Sequence, residues 1–183
     1  ARSHASLRRW RHDYLSCLMK LKITSKLVDK GFKAATRRVA NLDGWAVEVG
    51  FFGPRAQMRY RSKSGKPGPT VAEVAAFNEF GTENSPPRPF MRRTAFKYRY
   101  QNSVDMAKIA SDYIDGRANT PKTHLEKFGE LYKKRVREVI LEARTWAPPN
   151  STITIRQKGA NTPLLHTQAM IAAVSKRVRK KRI

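Results

Sequence analysis

Residues 71–90, VAEVAAFNEFGTENSPPRPF, constrain the fold of this chain more than any other stretch. Thr70 and Glu73 form a T-x-x-E capping box, so a short helix is predicted over 70–80. Gly81 suits a left-handed helix stop. Pro86, Pro87 and Pro89 then forbid helix, and Pro89 can open the next one. The result is a helix, a stop and a rigid proline corner, with Phe80 and Phe90 as expected core anchors.

Around this corner the predicted elements are mixed. Residues 5–40 read as helical, with Leu7, Trp10, Tyr14, Leu18 and Leu21, then Val28, Phe32, Ala35 and Val39, at spacings of three and four. The β-branched Ile23 and Thr24 followed by Ser25 allow a break, so one long helix and two both stay open. Residues 45–52, WAVEVGFF, predict a strand. Residues 53–69 combine glycines and prolines with Arg55, Arg59, Arg61, Lys63 and Lys66, a basic loop that can form a hairpin excursion.

From Met91 to about Tyr113 one helix is predicted, with Phe96, Tyr100, Val104, Ala107, Ala110 and Ile114 on its apolar face. Gly116 and Asn119 end it, and Thr120-Pro121 starts another with Leu125, Phe128, Tyr132, Val136 and Val139 on one face. That helix stops at Trp146-Ala147-Pro148-Pro149. Residues 163–172 read as a loop and one helical turn. In the basic tail, Val174 and Val178 would face a sheet if it is a strand. These elements predict an α+β fold: a small antiparallel sheet, including 45–52 and 174–182, packed by several helices, with a long helical N-terminal arm. The expected division is 1–40 for the arm and 41–183 for the α+β domain.

Charge is the compositional outlier. Lys and Arg number 38 against 14 Asp and Glu, a net charge of +24. Self-repulsion of that size disfavours a lone compact monomer and points to a polyanion or an acidic partner surface. Candidate contacts to DNA or an acidic partner are Arg59, Arg61, Lys63 and Lys66 in the loop, and Lys176, Arg177, Arg179, Lys180, Lys181 and Arg182 in the tail. Cys17 is the only cysteine, which fits a reducing compartment and leaves no intramolecular disulfide. No apolar run approaches the roughly 18 residues of a membrane span. The first residues lack the pattern of a secretory signal. They also lack Met, so the chain is read as starting inside a longer gene product.

Enzyme signatures are missing from the sequence. His4, His12, His124 and His166 are scattered, and none pairs with a second ligand at zinc-site spacing. The SGKPGPT run is no phosphate loop, because Pro67 follows Lys66 and the required preceding glycine is absent. Asp112/Asp115, three apart, and Glu138/Glu142, four apart, are candidate acid pairs for a Mg²⁺ nuclease, and both read more simply as helix-surface ion pairs. Trp10, Tyr14, Tyr60 and Tyr98 lie among Arg and Lys as in single-strand binders, yet at helical spacing Trp10 and Tyr14 suit a core or subunit interface. No catalytic residue, metal or cofactor is expected.

Two separated segments resemble one family, the tail-completion and head–tail joining (neck) proteins of long-tailed bacteriophages. The first is Glu79-Phe80-Gly81-Thr82 followed by Pro87-Arg88-Pro89-Phe90, preceded by the strand-like Val47-Glu48-Val49-Gly50-Phe51. The second is similar to that family's W-x-P … T … K-G … P-L … T … M pattern at Trp146, Pro148, Thr154, Lys158, Gly159, Pro163, Leu164, Thr167 and Met170. This sequence departs from the pattern at His166, where an acid is usual, at Gln168, where Gly is usual, and at Ala173, near the usual Ser. The resemblance covers about 45–178, matching 98–144 only as helix, and also argues against a strand at Ser151-Thr152-Ile153-Thr154-Ile155-Arg156. It implies a structural virion protein that completes the tail and joins it to the DNA-filled head. The implied partners are itself in a homo-oligomeric ring and tail terminator, tail tube or head–tail connector proteins, with the packaged DNA a further candidate. It implies assembly in the host cytoplasm and residence in the virion, with no membrane and no catalysis. A free, non-specific nucleic-acid-binding protein is the alternative.

Overall fold

The computed structural model describes residues 29–61, 65–165 and 168–180. Contacts divide the chain into residues 1–32 and 33–183. Of the first unit, the described part is a short turn in which Asp29 Oδ1 accepts from the Gly31 N–H at 3.0 Å. The arm expected over 1–40 therefore lies largely outside the described residues. Its last portion is helix α1 (Phe32–Leu42), which buries no residue. Val39, expected on the apolar face, is half exposed. The helix is held by polar contacts instead, from Arg38 to the Ile114 carbonyl at 3.1 Å and from Asn41 Nδ2 to the Tyr113 hydroxyl at 2.7 Å.

The second unit is α+β. Strand β1 (Trp45–Phe51) pairs antiparallel with β4 (Val174–Lys180), from Trp45 opposite Lys180 to Phe51 opposite Val174. The alternation places Val47, Val49 and Phe51 on the same face as Val174, Lys176 and Val178. That face packs on α6 (Pro121–Leu141). Gly129 in mid-helix makes this approach possible: a Cβ there would lie 3.0 Å from Val47 Cγ2 and 2.9 Å from Lys176 Cδ. A helix-interior glycine costs about 1 kcal/mol in propensity, so close packing is its physical reason.

Between the strands the chain forms a one-turn helix α2 (Pro54–Gln57), absent from the sequence reading, and then the expected hairpin, β2 (Arg59–Arg61) with β3 (Pro67–Thr70). Helix α3 (Val71–Phe80) starts at the anticipated capping box. The Glu73 N–H donates to Thr70 Oγ1 at 3.1 Å, and the Thr70 N–H donates to Glu73 Oε2 at 2.6 Å. The Thr70 N–H, contributing most, and the Thr70 hydroxyl, 3.0 Å from Oε2, hold the Glu73 carboxyl below its usual range.

The single helix expected from Met91 to Tyr113 is two, α4 (Phe90–Lys97) and α5 (Arg99–Ile114). Tyr98 leaves helical geometry at φ −106°, ψ 15°, and its ring lies between the charges of Lys97 and Arg135, at 5.1 and 5.2 Å. Helix α6 begins as expected, with Thr120 accepting from the Lys122 N–H and Pro121 in the first turn. It ends at Leu141, and a further turn, α7 (Ala143–Trp146), carries the tryptophan. Residues 152–158 form α8 (Thr152–Lys158), started by Ser151 and stopped by left-handed Gly159, so the β-branched run is no strand. A turn at Pro163 and Leu164 and the short α9 (Ala169–Ala173) lead into β4.

The core gathers Phe90, Val136, Val139, Ile140, Ala143, Met170, Ala173 and Val174, where α4, α6, α7, α9 and the sheet meet. Phe90 is 1 % exposed and meets Phe51 edge-on, centroids 5.8 Å apart. Burying a side chain of this size contributes roughly 1.5–3 kcal/mol. Phe80, expected as the second anchor, is 73 % exposed. It ends α3 on the outer side and carries the Arg92 guanidinium 5.5 Å from its ring. Among the described residues, no helix is long and apolar enough to cross a membrane.

Candidate functional site

The corner between α3 and α4 is built on two buried charged residues, Glu79 and Arg88, both about 6 % exposed. Glu79, in the last turn of α3, accepts from the Met91 and Arg92 N–H groups at 2.8 and 3.2 Å. Those donors are among the orphan amides at the start of α4, so one helix supplies the anionic cap of the next. Arg92 completes the arrangement, donating from Nε to the Glu79 carboxylate at 3.0 Å and from Nη2 to the Glu79 carbonyl at 2.7 Å.

Gly81 turns the chain with φ 81° and ψ 174°, an extended positive-φ conformation and not the left-handed helical cap expected. A Cβ there would come 3.0 Å from Pro87 N and 3.1 Å from Ser85 O. Thr82 and Ser85 exchange backbone hydrogen bonds at 2.9 and 3.2 Å, closing the loop. Pro87 follows, and Pro89 is the residue before α4 and not its first helical position.

Arg88 reaches from this corner to the second motif. Its Nε donates to the Pro148 carbonyl and its Nη2 to the Pro149 carbonyl, both at 3.0 Å. Its Nη1 faces Ser85 Oγ at 3.3 Å and Asn78 Oδ1 at 3.5 Å. Burial lowers its pKa from the usual arginine value. A planar guanidinium suits this task, since it can bond two successive carbonyls of a proline segment that offers no N–H in return. Beside it, Trp146 donates from Nε1 to the Val139 carbonyl at 3.0 Å and lies under the Arg93 guanidinium at 4.8 Å. Asn78 Nδ2 bonds the Val74 carbonyl and touches Met170 Sδ at 4.0 Å.

The rest of the second motif shapes backbone. Ser151 Oγ accepts from the Thr154 N–H and lies 2.9 Å from Thr154 Oγ1. Lys158 ends α8, and Gly159 donates its N–H to the Ile155 carbonyl. Pro163 is fully buried, and Leu164 is buried with φ 62°. Gln168 has φ 56° and ψ 4°, left-handed at the position where the resemblance expects glycine. Thr167 and His166 lie outside the described residues. Sequence reasoning missed Asn78, Gly129 and Arg135, which have no local motif and matter only through distant partners.

The basic candidates fall into two groups on separate sheets. In the hairpin, Arg59 is exposed and donates to the Gly68 carbonyl at 3.1 Å, Arg61 lies in β2, and Lys66 is exposed. On β4, Arg177 and Arg179 both bond Glu48 Oε2, at 2.5 and 2.7 Å, and hold its carboxyl below the usual range. Lys176 donates to the Glu126 carbonyl at 2.8 Å, and Lys180 to Asn41 Oδ1 at 2.6 Å. Lys63, Lys181 and Arg182 lie outside the described residues.

The acid pairs are engaged by cations. Asp112 and Asp115 both pair with Arg117, while Glu138 and Glu142 pair with Lys97 at 3.5 and 2.8 Å. Among the described residues no three His, Cys, Asp or Glu side chains converge to hold a metal ion. Tyr60 packs half-buried against the core, while Trp10 and Tyr14 lie outside the described residues. The corner can position three helices and a proline segment; it presents no nucleophile with a base. Comparison with family models, curated proteins and solved structures found no match.

Proposed function

We propose that this chain is a structural subunit of a phage neck, completing the tail and helping to join it to the DNA-filled head as part of a homo-oligomeric ring. The observation that carries the reading is the Arg88 bridge. It ties the P-R-P-F motif to the W-A-P-P motif across 60 residues of sequence. The two segments that carry the family resemblance thus form one rigid joint. Their residues serve shape, as a ring subunit requires, since closed symmetry demands a fixed angle between a subunit's two faces.

The test has two parts. The mass of the purified chain, measured across concentration and salt, should reveal a closed oligomer. Cryo-electron microscopy of the parent virion should place it at the head–tail junction. A chain that stays monomeric and is missing from the virion overturns the reading. The net charge of +24 favours a second reading, a free nucleic-acid-binding protein. Its exposed candidates among the described residues are Arg59 and Lys66 of the hairpin and Arg177, Arg179 and Lys180 of β4. DNA binding by the isolated monomer with a steep salt dependence is its expected signature.

A further inference from the structure

Helix α5 is packed with its polarity reversed. Asn102 and Asp105 face the body of the protein, where Arg135 of α6 donates to them at 2.5 and 2.9 Å. The first part of the apolar row that the sequence marks as the buried face, from Phe96 near the end of α4 to Val104 in α5, looks outward, while Ala110 and Ile114 at the far end are half-buried. Phe96 is 69 % exposed, Tyr100 75 % and Val104 50 %. Tyr100 and Val104, four apart, are neighbours on α5, and Phe96 precedes them in the last turn of α4, so these side chains make one exposed stripe across the Tyr98 break. Phe80 extends it at one end through Arg92, which lies over the Phe80 ring one turn before Phe96. There the stripe borders an apolar cavity of about 450 Å³ lined by Ala72, Ala75, Ala76 and Met91 among others.

The rim of the stripe is cationic. Arg92 and Arg99 are exposed beside Phe80 and Phe96, with the Arg99 guanidinium 4.5 Å from the Phe96 ring. Of the acids near this rim, Glu79 caps α4 and Asp105 pairs with Arg135. Exposed aromatics with arginines match the composition of binding hot spots.

We infer that this stripe is the docking surface for an acidic amphipathic segment of another protein, with apolar side chains along Phe96, Tyr100 and Val104 and carboxylates meeting Arg92 and Arg99. Charge decides among the occupants. The chain's own N-terminal segment has an apolar row, but residues 1–28 carry seven Arg and Lys and one Asp, so this rim repels it. A second copy pairing through the same stripe would set Arg92 and Arg99 against their own counterparts, so the stripe does not pair with itself, whereas ring contacts through other faces are unaffected. For single-stranded nucleic acid, one face of each of Phe80 and Phe96 is already covered by an arginine, and an alanine-lined cavity offers nothing to a base. The inference is independent of the ring.

The experiment titrates the full chain with a fluorescent helical peptide of about four turns, leucines on one face and glutamates on the other. Controls are its scrambled sequence, its lysine-for-glutamate analogue and an oligothymidine. The acidic amphipath should bind, and the double substitution Phe96→Ser, Tyr100→Ser should weaken it about tenfold or more at unchanged melting temperature. Hydrogen exchange on the unaltered chain reads the same contact without a variant: the peptide should protect residues 96–107. Equal binding of the scrambled or basic peptide, or protection only elsewhere, overturns the inference. So does oligothymidine binding lost with the same double substitution, which assigns the stripe to nucleic acid. A chain oligomer dissolved by that substitution makes a second copy the occupant; it also overturns the inference, while leaving the ring reading intact.

Discussion

The motif corner and the outer face of α5 treat polarity in opposite ways. In the corner, two charged residues are buried and fully used: Glu79 caps α4, and Arg88 bridges to Pro148 and Pro149. In the first turns of α5, Tyr100 and Val104 are outside while the polar Asn102 and Asp105 turn toward Arg135. Burial follows partners more than hydrophobicity. A charge goes in where hydrogen bonds satisfy it, and an aromatic stays out where the monomer gives it no cavity to fill.

The comparison can be broken most easily at its phenylalanines. Phe90→Ala should cost about 3–5 kcal/mol in urea unfolding, because a fully packed ring leaves a cavity. Phe96→Ala should cost under about 0.5 kcal/mol, as an exposed substitution does. Equal losses would sink the assignment of one to the core and the other to the surface. Next comes Arg88→Met, expected to destabilise by about 3 kcal/mol through buried carbonyls left without donors. Arg99→Met on the α5 rim should change stability little. Glu79→Gln keeps the shape but removes the charge facing the α4 amides, and a loss of about 1–2 kcal/mol is expected from the same denaturant series.

A smaller effect of opposite sign is expected at the left-handed Gln168. Gln168→Gly relieves a conformation that costs an L-residue about 1–2 kcal/mol, less the glycine entropy, so the melting temperature should rise slightly. The smallest effect is the acid dependence of the α3 cap. Glu73 is held below its usual pKa in the folded state by the Thr70 N–H and hydroxyl. Its contribution is therefore present above the ordinary carboxylate value and lost as pH falls through the folded one. Glu73→Gln should flatten the decline in stability between about pH 5 and pH 3. An unchanged slope would remove Glu73 from the acid response.

The corner was legible because its signals are local. A T-x-x-E box, Thr120-Pro121 and a proline run restrict the backbone of the residues that carry them, whatever surrounds them. The strand over 45–52 was legible through its β-branched and aromatic residues; its partner in the basic tail was only conditional, since the tail alternates poorly and offers just Val174 and Val178 to one face. The break at Tyr98 was not legible, since 91–113 contains no Gly or Pro to mark it; the partners of Tyr98 include Arg135 and Glu138 on another helix, which no local signal announces. Phe80 looked like an anchor by position in a motif, but the side to which α3 turns it depends on how Glu79 docks α4.

Sequence alone determined the start of α3 at its capping box and of α6 at Thr120-Pro121, the strand over 45–52, and a charge that calls for an acidic or polyanionic partner. Each of these depends on backbone restriction or on a sum over residues, and neither needs a neighbour. Tertiary structure alone decided that Arg88 joins the two motifs, that Gly129 seats the sheet on α6, and that Tyr100 and Val104 of α5 face out. Periodicity defines a face but not its direction, and only the packing of the other helices, here through Arg135, chooses which face turns inward.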